Sequence, residues 1–114
     1  MRTDGAKGHL DLLLLGVLGD GPAHGYAVIA ELRERSSGAL DLTEGAAYPA
    51  LHRLEDTGLL SSRWEPVGGR RRRVYALTPA GRAALRVEQR GWSALVAAVE
   101  SVLRPGAVPG LEAS

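Results

Sequence analysis

The chain has 114 residues, no cysteine and no phenylalanine, and a formal net charge of +1. That length fits one domain with an appendage, and the missing cysteine excludes disulfides, thiolate metal sites and thiol nucleophiles. The near-zero total hides an asymmetry: residues 1–47 hold four basic and seven acidic groups (−3), residues 48–86 eight and three (+5), and residues 87–114 two and three (−1). Positive charge concentrated in the middle third steers a polyanion.

In chain order, residues 1–8 are Gly-rich and charged and are read as a flexible arm. His9 to Gly19 follows, with leucines at 10, 12, 13, 14, 15 and 18. Leu12 to Leu18 is too short for a bilayer span, and the acidic residues around it do not suit a secretory leader. It reads as a buried helix, apolar nearly all round. A second buried side in so small a domain predicts contact with another subunit through Leu10, Leu13 and Leu14. Asp20-Gly-Pro22 breaks this helix. A second helix spans His24 to Arg35, with Val28, Ile29 and Leu32 as its apolar stripe, and Ser36-Ser-Gly38 ends it.

Thr43 to Leu60 is the stretch around which the remainder is organised. Thr43 suits the N-cap and Glu44 the positive end of the helix dipole. At 3.6 residues per turn, Ala47, Leu51 and Leu54 share one side. Gly45, Pro49, His52, Arg53 and Asp56 share the other, with Tyr48 at the border. Pro49 lies early enough in the helix for its lost hydrogen bond to be tolerated, and Gly58 stops the helix.

Leu59 to Glu65 and Arg70 to Leu77 read as two strands around a Gly68-Gly69 turn, a β-hairpin. The second strand opens with Arg70, Arg71, Arg72 and Arg73, whose side chains alternate between faces, so two or three of them can reach one ligand. Thr78-Pro79 starts a last helix that runs to Arg104, where Pro105-Gly106 stops it. Its second half carries Trp92, Leu95, Val96, Val99, Val102 and Leu103, an amphipathic stripe that projects past the domain and needs a partner helix. The most economical partner is the same helix of a second copy. Residues 105–114 are read as a flexible tail.

The expected fold is mainly α (α+β): a winged helix-turn-helix over residues 9–78 and a dimerisation helix over 79–104. A short helix that is apolar inside and polar outside can enter a DNA major groove, while wing arginines reach phosphates or the minor groove. The expected recognition-helix contacts are Thr43, Glu44, Gly45, Tyr48, Pro49, His52 and Arg53. Tyr48 either donates its hydroxyl to phosphate or wedges the helix against its neighbour. Tyr26 is either structural or a phosphate contact. No nucleophile–base pair, paired carboxylates or metal-ligand spacing is present, so neither an enzyme nor a cofactor or metal site is expected. The alternative is a winged helix used for protein contacts without specific DNA readout.

His24-Gly-Tyr26, Tyr48-Pro-Ala-Leu-His-Arg-Leu-Glu-Asp-Thr-Gly-Leu-Leu60, Gly69-Arg70 with Tyr75-Ala-Leu-Thr78, and Ala80-Gly81 together resemble the PadR family of bacterial transcriptional regulators. The length is similar to that of its short subfamily, which has a single C-terminal dimerisation helix. The resemblance implies a cytoplasmic homodimeric repressor on a palindromic operator, released in some members by a small ligand. It also implies a role for Trp92, which in such sensors stacks on planar aromatic effectors at the dimer centre; ordinary dimer packing is the other reading of this residue. Two positions depart from the family pattern. Ala46 stands where Thr or Ser is frequent, and His52 where Lys is common.

Overall fold

The computed structural model describes residues 9–104, so the arm and tail expected at 1–8 and 105–114 lie outside the described residues. Within them, the order is α1 (Leu10–Leu18), β1 (Ala23–His24), α2 (Gly25–Arg35), α3 (Glu44–Asp56), β2 (Leu60–Val67), β3 (Arg70–Leu77) and α4 (Pro79–Leu103). The expected α+β winged helix-turn-helix with a long last helix is what the chain forms, and no described helix is long and apolar enough to cross a membrane.

The local signals act where they were expected. Thr43 Oγ1 accepts from the Ala46 amide at 3.1 Å and caps α3. At the far end of α3, Gly58 takes φ +84°, while the Leu59 amide reaches back to the Leu54 carbonyl at 2.9 Å. That pairing satisfies carbonyls the helix leaves open. Gly68 and Gly69 both hold positive φ in the two-residue hairpin turn, as a primed turn demands. Pro66 sits on β2, an outer strand of the β1-β3-β2 sheet, where a missing amide is tolerated. Pro49 is the sixth residue of α3 and lies on its exposed side.

β1 was not anticipated. It is two residues long and pairs Ala23 with Tyr75 and His24 with Val74. Two residues carry no periodicity, and only the nearby β3 makes them a strand.

The core joins Leu14, Leu15 and Leu18 of α1 to Val28 and Leu32 of α2, Leu51 and Leu54 of α3, and Leu60, Tyr75 and Leu77 of the sheet. This corrects one expectation. Leu14 is wholly enclosed by its own chain and offers nothing to a second subunit. The all-round apolarity of α1 is met internally, by α2 and α3, by β3, and by Ala84 and Leu85 at the start of α4. Leu10 and Leu13 are half-buried against the same core.

α4 is anchored at its first turn. Thr78 Oγ1 accepts from the Gly81 amide and donates to the Gly58 carbonyl at 2.7 Å, fastening the start of α4 to the end of α3. Gly81 permits the close approach, because a Cβ there would lie 2.1 Å from the Leu59 carbonyl oxygen. Beyond this anchor α4 leaves the domain, giving the molecule a long axis of 66 Å. Trp92 (44% exposed), Leu95, Val99, Val102 (77%) and Leu103 stand open along it.

Candidate nucleic-acid interface

The hydrogen-bonding register decides which side chains share a face of the hairpin. Leu60 pairs with Leu77, Ser62 with Tyr75, Trp64 with Arg73 and Pro66 with Arg71. In antiparallel strands directly opposed residues point the same way. Leu60, Tyr75 and Leu77 turn inward at the base of the hairpin, so Arg71, Arg73 and Trp64 continue that face outward beyond the helices. Arg70 and Arg72 occupy the alternate positions, and Arg72 lies close enough to His24 to line the groove as well.

Between this face and α3 lies a groove of about 720 Å³, lined by Tyr48, His52, Glu55 and Asp56 from α3, Trp64 and Arg71 to Arg73 from the wing, and His24 and Gly25 at the start of α2. Each wall has a structural cause. His24 caps α2 by accepting the Ala27 amide on Nδ1 at 3.1 Å, which aims the free amide end of that helix at the groove. Burial, helped by the charge of Arg72, holds the His24 imidazole below its ordinary pKa, so the accepting neutral form is favoured. The Tyr48 ring lies against Gly25, where a Cβ would sit 2.5 Å from its Cε1. Tyr48 therefore packs α3 against α2, as the wedge reading requires, and its ring also lines the groove. Tyr26 is 58% exposed beside the ring of His24.

The four wing arginines separate. Arg73 Nε donates to Ser62 Oγ at 2.8 Å, Ser62 Oγ donates to Glu55 Oε2 at 2.5 Å, and the Arg73 guanidinium stands 3.5 Å from the same carboxylate. This network ties the wing to α3 and largely cancels the charge of Arg73. Arg70, Arg71 and Arg72 form no ion pair with any described residue. They are the cations that the wing presents.

On α3, Gly45, Pro49 and His52 are exposed, as their spacing predicts, and Glu44 is exposed in the first turn. Arg53 is exposed too, but its terminal nitrogens donate to both oxygens of Asp11 on α1, at 3.2 and 2.6 Å. It faces α1 and is absent from the groove's lining. Sequence reasoning missed Asp11, Glu55 and Ser62. Nothing in their spacing marks them, since their partners are 42 and 7 residues away. Trp64, on the same face as Arg71 and Arg73, is 54% exposed.

A second, smaller groove of about 340 Å³ lies where α1 meets α4, lined by His9, Leu12, Val87, Glu88, Gly91, Trp92 and Leu95. The His9 ring meets Trp92 edge-on at 4.9 Å.

The model of the transcriptional regulator PadR-like family matches residues 14–87. A transcriptional regulator of Mycobacterium tuberculosis is 48% identical over 71 residues, 62% of this chain and 64% of that protein, so the match spans less than two thirds of the relative. The crystal structure of a PadR family transcriptional regulator from Eggerthella lenta superposes with a TM-score of 0.74 at 33% identity, covering 85% of this chain and 83% of that one. PadR of Bacillus subtilis, solved in complex with operator DNA, superposes with a TM-score of 0.62 at 27% identity over 68% of this chain and 44% of that one.

Proposed function

The chain belongs to the PadR-like family of transcriptional regulators, and from that premise we propose that it is a cytoplasmic homodimeric repressor. It binds a palindromic operator and is released by a small effector. The observation that carries this reading is the groove in which the polar side of α3 faces Arg71 and Arg72 of the wing, two cations not committed to described carboxylates. Residues 9–78 form the DNA-binding unit. Thr43, Glu44, Gly45, Tyr48, Pro49 and His52 approach the major groove, and Arg70, Arg71 and Arg72, with Tyr26, approach the backbone. Arg73 acts one step back, by holding the wing against α3.

Residues 79–104 form the dimerisation unit. The apolar side of α4 from Trp92 through Leu95, Val96, Val99, Val102 and Leu103 covers a second copy of itself, with Leu10 and Leu13 at its margin. A two-fold pair of recognition helices matches an inverted repeat. The groove at Trp92, apolar but for Glu88 and His9, suits a planar aromatic cation.

The test is binding of the full chain to the duplex upstream of its own gene at rising salt. A steep fall in affinity, with a log–log slope near −0.9 for each phosphate neutralised, is expected. Absence of binding at low salt would reject the DNA reading and favour a protein-contact module. For the effector, a planar aromatic cation such as ethidium quenches Trp92 emission in DNA-free protein, and Trp92→Ala abolishes that binding; unchanged affinity in the variant rejects the site.

A further inference from the structure

We propose that Trp64 is a DNA-contact residue of the wing, presenting its indole ring to the deoxyribose face of the strand that crosses the groove between α3 and the hairpin. The proposal rests on the DNA reading above and adds to it an apolar contact that the arginines cannot supply.

Trp64 shares the inward face of β2 with Leu60 and Ser62, but lies where the hairpin has run past the helices, so no core remains to cover it. Large aromatic side chains are enriched at interfaces, and Trp64 stands exposed at the edge of a groove rather than alone on open surface. Its position is also braced. Arg73 stands directly opposite on β3 with its guanidinium 5.6 Å from the ring centroid, and Arg71 stands 5.7 Å away. Ser62 and Glu55 in turn brace Arg73. A ring already held in place loses little rotamer freedom on binding.

The chemistry selects the occupant. The same groove carries Arg71, Arg72, Tyr48 and His52, groups suited to phosphate oxygens. Along a DNA strand each phosphate is followed by a sugar whose C–H face is apolar. Two residues along a β-strand advance roughly 6.6 Å, on the scale of that phosphate-to-phosphate step. An indole set beside the free cation of Arg71 is therefore placed for the sugar next to the phosphate Arg71 binds. A paired base in a duplex exposes no ring face to this position, whereas a sugar does.

The experiment uses the full chain labelled with 5-fluorotryptophan, the Trp64 resonance being the one that Trp64→Phe removes. Addition of the upstream duplex shifts that resonance, with a midpoint equal to that from anisotropy of the labelled duplex. Trp64→Ala weakens binding by about three- to tenfold and leaves the log–log salt slope unchanged, since no phosphate-neutralising charge is lost. Arg71→Gln lowers that slope by about 0.9. A Trp64 resonance unmoved at saturating duplex overturns the proposal, even if Trp64→Ala fails to fold. So does a Trp64→Ala variant that binds within twofold of the unaltered chain, or one whose salt slope falls, which would make the ring a support for Arg71. If the unaltered chain does not bind the duplex at all, the DNA reading fails instead, and anisotropy alone shows that.

Discussion

Arg53 on the recognition helix and Asp11 on α1 meet end-on, each terminal nitrogen of the guanidinium donating to one carboxylate oxygen, at 3.2 and 2.6 Å. The pair spans 42 residues and bridges the helix that lines the groove with Trp92 to the helix proposed to read DNA. Both side chains are more than a third exposed, so the pair is worth only about 1 kcal/mol or less.

That geometry withholds one cation from the proposed interface. Arg53→Gln should therefore change affinity for the upstream duplex by less than about threefold, while Asp11→Asn should tighten it by up to about fivefold. In the Asp11→Asn chain, Arg53→Gln should then cost what Asp11→Asn gained. A double-mutant cycle on the dissociation constants measures this. A large loss from Arg53→Gln alone would mean that the guanidinium leaves Asp11 to contact DNA.

Gly25 and Tyr48 give a second test. An added Cβ at residue 25 would stand 2.5 Å from Cε1 and 2.9 Å from Cζ of the ring. The ring is a movable side-chain end, so Gly25→Ala should cost only about 1 kcal/mol of stability but push the Tyr48 hydroxyl out of the groove. Urea unfolding and duplex binding, measured on the same variant, should separate, with binding losing more than stability.

Gly81 behaves differently, because its neighbour is backbone. A Cβ 2.1 Å from the Leu59 carbonyl oxygen cannot be accommodated by a rotamer change. It must displace the start of α4 from the turn after α3. Gly81→Ala should cost more than about 2 kcal/mol, read as a drop in Tm, despite the higher helix propensity of alanine.

His24 makes stability depend on pH. Its folded pKa lies below the ordinary 6.5, from burial first and Arg72 second. A histidine held neutral in the fold binds fewer protons than in the unfolded chain. Its contribution is thus complete above pH 6.5 and is lost as pH falls from there through the folded pKa. Protonation also removes the Nδ1 acceptor that caps α2. Asparagine caps helices without titrating, so His24→Asn should flatten the fall in urea midpoint between pH 7.5 and pH 5. An unchanged pH profile would place the sensitivity elsewhere.

The apolar side of α4 gives a fifth test. Leu95→Arg or Val99→Arg places charge in the proposed seam without touching the core, since both positions are exposed in the single chain. Sedimentation should show dissociation of the dimer with the domain still folded. A dimer that persists would place the subunit contact elsewhere.

The sequence by itself determined the four helices, the hairpin and their order. Caps at Thr43 and Thr78, the stop at Gly58, the Gly68-Gly69 turn and the 3.6-residue stripes of α3 and α4 all act between residues one to five apart. Such short-range physics leaves a periodic or positional trace in the chain. It also fixed the polar side of α3 and the family resemblance. What the tertiary structure alone decided depends on residues that folding brings together from a distance. Arg53 turned to Asp11, Arg73 was committed to Glu55 and Ser62, Ala23–His24 became a strand beside β3, and Leu14 was enclosed by its own chain. Trp64 stayed exposed because the hairpin outruns the helices beneath it. Strand alternation gives each side chain a face, but only the packing of that face against other elements decides whether it meets core, carboxylate or open groove.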